Sequence, residues 1–153
     1  MIVRVSRRES FNAAHQLCDP GLSDAENERL FGKCANLHGH RYTFLFTVET
    51  PELDPIGRVV DFSVLAARLG SWLNDRWDHA FLWFADDIVC EDIFKRHPEL
   101  RNYRCPFNPT AENMANFLLR VVGPEMLAGT DAGLRAVTVY ETENCSAHAT
   151  MGP

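Results

Sequence analysis

The chain has 153 residues, a length that suits one domain (1–153), and it is 46% hydrophobic and 24% charged, ordinary for a globular protein with a real core. A formal net charge of −6 and a pI near 5.4 exclude a general nucleic-acid binder and a polybasic membrane-surface protein. No apolar run approaches the roughly 18–20 residues that span a bilayer, and the charged, alternating start Met1–Arg8 is not a signal peptide. The five cysteines (Cys18, Cys34, Cys90, Cys105, Cys145) are scattered and odd in number. With no export signal they read as reduced cytoplasmic thiols, and without a CxxC pair a cysteine-rich structural zinc site is not expected.

In chain order, residues 2–9 alternate and read as a strand whose end falls at Phe11-Asn12-Ala13-Ala14-His15. Residues 16–33 are polar, carry the turn signal Asp19-Pro20-Gly21, and read as an excursion between strands. Residues 38–49 form the second predicted strand. By the two-residue period His38, His40, Tyr42, Phe44, Phe46 and Val48 share one face, so two histidines continue a row of core residues to its rim. The turn-rich stretch Thr50–Gly57 follows. Asp61 caps a predicted helix over 62–77, with Phe62, Leu65, Leu69, Trp72 and Leu73 as its apolar stripe. A short helix is expected over 86–96, stopped before Pro98. Asn108-Pro109-Thr110 opens another helix, with Met114, Phe117, Leu118 and Val121 as its stripe and Gly123-Pro124 as its stop. Residues 134–142 alternate as a strand, and 145–151 add an edge strand. This order predicts an α+β fold with helices on one face of an antiparallel sheet.

The chemistry concentrates at the two strand ends. Antiparallel neighbours bring the end of the first strand to the start of the second, so His15, His38 and His40 can converge on one ion. Three neutral imidazoles and an open position make a catalytic zinc arrangement. An isolated His-x-His carries little weight, and the third histidine on the adjoining strand end is what raises it. Cys34, four residues before His38, is either a packed thiol or a base whose pKa the nearby cation lowers. As a zinc ligand it would close the open position, so the base is the preferred role. Asp78-His79 is a carboxylate–imidazole pair able to hold a tautomer and move protons. His97 and His148 carry no supporting pattern. Glu141 follows Val137 and Val139 on their face, where an acid needs a partner: either solvent at the strand end or the two parallel N–H donors of an amidine-like ligand edge. Thr110 and Glu112 read from pattern alone as helix-capping residues.

Taken together, Phe11–His15, Cys34-Ala35-Asn36-Leu37-His38-Gly39-His40, Val60-Asp61-Phe62, Asp78-His79, Pro109–Asn113 and Val139–Thr142 resemble the 6-pyruvoyltetrahydropterin synthase and 6-carboxytetrahydropterin synthase superfamily. The resemblance runs through most of the chain. It implies the tunnelling fold (T-fold), in which a four-stranded antiparallel sheet carries two helices on one face. Barrels form on oligomerisation, here a homohexamer built as a dimer of trimers. It implies Zn2+ on His15, His38 and His40, Cys34 as catalytic base assisted by Asp78 and His79, and a pterin triphosphate substrate held by Glu141, with Thr110 and Glu112 at a subunit boundary. The three residues between Cys34 and His38 resemble the bacterial 6-carboxy-5,6,7,8-tetrahydropterin synthases of queuosine (7-deazaguanine) biosynthesis. The animal-type pyruvoyl enzymes have a longer gap, and the subgroup that replaces the cysteine by glutamate is disfavoured by Cys34. The alternatives are a 6-pyruvoyltetrahydropterin synthase, which only eliminates triphosphate, and a non-catalytic pterin-binding paralogue. Residues 81–107 and 16–33 are longer than in the compact bacterial form. Lys33 or Arg41 could face the triphosphate.

Overall fold

In the computed structural model, which describes residues 2–152, β1 (Arg4–His15) and β2 (His38–Glu49) form the central hairpin. They pair antiparallel from Arg4 opposite Glu49 to His15 opposite His38. β2 pairs antiparallel with β5 (Gly133–Tyr140), with an irregularity at Thr47/Val48, and β5 pairs with the edge strand β6 (Ser146–Thr150). On the other side of β1, β3 (Phe81–Phe84) and β4 (Asn102–Cys105) pair in parallel, giving the order β4-β3-β1-β2-β5-β6.

The sheet among the described residues therefore has six strands, two more than expected. The extra pair lies within the long segment 81–107. There α4 (Ile88–Arg96), capped by Asp87, serves as the crossover that a parallel strand pair requires. The run Phe81-Leu82-Trp83-Phe84 does not alternate because this strand is covered on both sides, which hides it from a period-two reading. The excursion 16–33 also holds a helix, α1 (Asp24–Phe31), opened by a capping box between Ser23 and Glu26. It buries no side chain, so no apolar periodicity betrays it.

Two long helical runs cover one face. The first joins α2 (Phe62–Leu65), a wide π turn at Ala66–Gly70 and α3 (Ser71–Arg76). Asp61 caps it through Ser63 N–H, as expected, although Phe62 is exposed. The second joins α5 (Ala111–Phe117), a π turn at Leu118–Val122 and α6 (Gly123–Met126). Leu65, Leu69, Leu73, Met114 and Leu118 pack on Phe11, Tyr42, Phe44, Phe46, Val137 and Val139 to make the core. The second π turn inserts a residue into the helical period, so Val122 is buried and the expected Val121 is exposed.

Gly123-Pro124 does not end that helix. Pro124 sits in the first turn of α6, where its missing N–H is not needed. Gly123 is where the helix crosses β5, and a Cβ there would stand 2.4 Å from Leu134 Cδ2. α4 is the exception to the one-sided arrangement. Its Phe94 packs on Phe81 and Trp83, whose side chains point with Ala14 rather than with His15.

Candidate active site

The hairpin register does the assembling. His15 lies directly opposite His38, and Ala13 lies opposite His40, so all three imidazoles project from the core face at the end of the Tyr42–Val48 row. One ligand nitrogen from each comes within 4.8 Å of the others. His15 is 1% exposed.

Hydrogen bonds fix the tautomers of two rings. His15 Nδ1–H donates to the Pro109 carbonyl at 2.8 Å, with the Tyr42 hydroxyl 3.2 Å from the same nitrogen. His38 Nδ1–H donates to the Asn36 carbonyl at 2.7 Å. Each ring then presents an unprotonated Nε2, and these two lone pairs face each other at 3.0 Å. His40 Nε2 is buried and has no hydrogen-bond partner among the described residues. Two facing lone pairs with no proton between them, together with a third imidazole whose ligand nitrogen lies within 4.8 Å, are suited to a cation, and an all-imidazole donor set suits zinc.

The electrostatics agree. Burial, opposed by the Pro109 carbonyl and reinforced by His38 and His40, lowers His15 to about 4. Burial also lowers His40, against the pull of Glu141 and with the push of His38. At neutral pH both rings are therefore in the unprotonated form that ligation needs.

Glu141 continues the Val137–Val139 face and brings Oε1 to 3.6 Å from His40 Nε2. It lines a cavity of about 640 Å3 together with Arg8, His40, Arg41 and Thr43. Cys34 lies in the single 3-10 turn Gly32–Ala35, and its carbonyl accepts the Leu17 N–H at 2.8 Å, which ties it to the segment after His15. It is not a member of the three-histidine group. The Tyr42 hydroxyl is pushed up chiefly by burial and then by Glu141, Cys105 and Cys34.

A profile of the 6-pyruvoyl tetrahydropterin synthase family matches residues 4–151. The chain belongs to that family. It is 26% identical over 144 residues to a 6-carboxy-5,6,7,8-tetrahydropterin synthase of Rickettsia conorii, covering 94% of this chain and 97% of the relative. It is 43% identical over 130 residues to the 6-pyruvoyl tetrahydrobiopterin synthase of Drosophila melanogaster, covering 80% and 68%. The solved 6-pyruvoyl tetrahydropterin synthase of Caenorhabditis elegans superposes with a TM-score of 0.74 at 31% identity, covering 99% of this chain and 97% of that one. The α+β sheet with its two long helices is the T-fold of this family.

Within one subunit the expected residues of this synthase-family site fall into two groups. His15, His38, His40 and Glu141 stand together, and Cys34 lies in the turn that leads into β2, tied through its carbonyl to Leu17. Asp78 and His79 form their own pair, Asp78 Oδ1 lying 2.9 Å from His79 Nδ1 and accepting the Asn12 N–H at 3.1 Å. Burial raises the Asp78 carboxyl, but Asn12, His79 and Arg101 together hold it below its ordinary value. His79 adopts φ +57°, donates its N–H to the Asn12 carbonyl and leaves its side chain 72% exposed. It opens onto a cavity of about 890 Å3 lined by Asn12, Gly39, Arg41, Phe94 and Arg101. Asn12 and Arg41 are register partners on the face opposite the histidine side chains, and Gly39, His40 and Arg41 border both cavities. Thr110 caps α5 by accepting the Asn113 N–H, and Glu112 sits in the first turn, which is the capping arrangement the pattern favours. The Pro109 and Asn36 carbonyls and the Tyr42 hydroxyl are parts that sequence reading does not assign. Tyr42 alone carries a signal, as the next residue after His40 on the same strand face.

Proposed function

We propose that residues 1–153 form a single cytoplasmic synthase domain that converts 7,8-dihydroneopterin triphosphate and one water to 6-carboxy-5,6,7,8-tetrahydropterin, with release of acetaldehyde and triphosphate, in queuosine (7-deazaguanine) biosynthesis. The observation that carries the reading is the convergence of three imidazoles, two of them with tautomers fixed by backbone carbonyls. Among the described residues no helix is long and apolar enough to cross a membrane.

His15, His38 and His40 would hold Zn2+, which would supply Lewis acidity toward the substrate's side-chain oxygens. Cys34 removes a proton from the side chain. His79, its ring oriented by Asp78, returns and relays protons. Glu141 accepts the two N–H donors of the aminopyrimidine edge. Arg41 borders both cavities and has no carboxylate partner among the described residues, so it faces the triphosphate in preference to Lys33. Ring reduction is internal tautomerisation, and no redox cofactor is needed. Assembly as a homohexamer, a dimer of trimers, closes strands from neighbouring subunits into a barrel and brings Thr110 and Glu112 to the pocket wall.

Two features favour the carboxy product: the three-residue separation of Cys34 from His38, and near full-length alignment with relatives named for it. The 43% identity to the Drosophila relative favours the second reading, triphosphate elimination to a pyruvoyl product. Incubating zinc-loaded protein with dihydroneopterin triphosphate distinguishes them. Acetaldehyde and a carboxypterin support the first, a pyruvoyl pterin without acetaldehyde supports the second, and tight pterin binding without turnover overturns both.

A further inference from the structure

Both ends of the additional segment fasten to the residues around His15. At its start, Phe81 and Leu82 pair in parallel with Ala14 and His15. Asp87 then uses its two oxygens differently. Oδ1 caps α4 by accepting the N–H groups of Val89 and Cys90, each at 3.0 Å. Oδ2 accepts Gln16 Nε2–H at 2.7 Å and the Cys18 thiol at 3.4 Å. At the far end Asn108 donates Nδ2–H to the Cys18 carbonyl at 2.8 Å, and the neighbouring Pro109 carbonyl receives the His15 Nδ1–H.

Asp87 is 5% exposed and, with His15, is one of two buried polar or charged residues among those described. A buried carboxylate is costly unless its lone pairs are satisfied. Here they are satisfied by the helix cap on one side and by the residue directly after His15 on the other. Burial raises the Asp87 carboxyl, but Cys90, Gln16 and Cys18 hold it low. The same carboxylate and burial push the Cys18 thiol up to about 12 and the Cys90 thiol up as well. The two thiols therefore act as protonated neighbours of Asp87 and not as a reactive pair.

We infer that Asp87 and Gln16 are positioning residues for His15, a clamp through which the β3–α4–β4 segment holds the end of β1 so that its imidazole meets the metal. This rests on the reading of the three histidines as a metal site. His15 has its ring nitrogen fixed by Pro109 and its backbone paired with His38 and Leu82, and the Asp87–Gln16 bond fixes the residue that directly follows it where β1 ends. Partners hydrogen-bonded directly to a ligand contribute about 10–100-fold in metal affinity, and a clamp on the adjacent residue is expected at the low end of that range.

The test uses the full chain and zinc alone. Zn2+ affinity is measured by chelator competition, and the Co2+-substituted protein is followed by its visible spectrum, for Gln16→Leu, Asp87→Asn and the double variant. Asp87→Asn retains a capping oxygen, and Gln16→Leu leaves the cap untouched, so folding of α4 is preserved in at least one variant. The expected result is a loss of at least about tenfold in Zn2+ affinity in the Gln16 variant with an altered Co2+ spectrum, and a double variant no worse than the more affected single one. Affinities within twofold of wild type overturn the clamp, even if the melting temperature falls. Fully additive losses also overturn it, because the two residues would not be acting as one unit. Failure of the wild-type protein to bind zinc is seen before any variant is made and overturns the metal reading itself.

Discussion

Acidifying the metal-free protein from pH 7 to pH 5 isolates the energetic consequence of keeping His15 neutral. An imidazole in the unfolded chain titrates near 6.5, whereas burial lowers the folded His15 to about 4. Between those values the unfolded chain binds a proton that the folded chain refuses, so stability falls as pH drops through 6.5 and the loss is complete near 4. The ratio of the two proton-binding polynomials is worth about 2 kcal/mol at pH 5 and close to nothing at pH 7, so His15 alone removes about 2 kcal/mol over that interval. His40, also lowered by burial, acts in the same direction. Ordinary carboxylates titrate near 4 and contribute little above pH 5. The assay is urea unfolding of chelator-treated protein at both pH values, for wild type and His15→Gln. The variant should be less sensitive to the pH step by about 2 kcal/mol, whatever its absolute stability. On the metal reading of the three histidines, saturating zinc should stabilise the folded chain at pH 7. If wild type and variant lose the same stability between pH 7 and pH 5, His15 titrates normally in the fold and the argument from burial fails.

Three further outcomes are expected. Cys34→Ala should abolish turnover of dihydroneopterin triphosphate while zinc content, read by atomic absorption, stays that of wild type; loss of zinc would make Cys34 a ligand. Glu141→Gln should weaken pterin binding by about 10–100-fold, the worth of a charge-assisted bidentate contact, measured by fluorescence titration, and an unchanged affinity would remove Glu141 from the pocket. Gly123→Ala should destabilise the fold by about 1–3 kcal/mol through overpacking, because its Cβ would meet Leu134 Cδ2 at 2.4 Å; an unchanged melting temperature would show that the helix crossing can yield.

What was legible in the sequence follows from which forces act locally. The β2 row from His38 to Val48 was readable because one face is buried and the other is not, and the hairpin register then brings His15 to His38 without further information. The helix over 62–76 was legible for the same reason, through Leu65, Leu69 and Leu73. The π turn at Leu118–Val122 was not, since it shifts the buried stripe by one residue only when the helix meets the sheet. Gly123 looked like a stop because glycine before proline usually is one; here the glycine answers to Leu134, a residue eleven positions away on another element. β3 was hidden because a strand covered on both faces loses its alternation, β4 because it is a four-residue edge strand, and α1 because it buries nothing. At the site, His15, His38, His40 and Glu141 stood out as side chains placed against the expected pattern, whereas the groups that orient the imidazoles are mostly backbone carbonyls, at Pro109 and Asn36, which carry no residue-type signal. Asp87 lies between these cases. The helix beside it is expected over 86–96, but its role as the cap and its bond to Gln16, 71 residues earlier, exist only once β3 has joined β1. The positions of the three imidazoles can thus be written in residue types, while those that hold their geometry are written in topology.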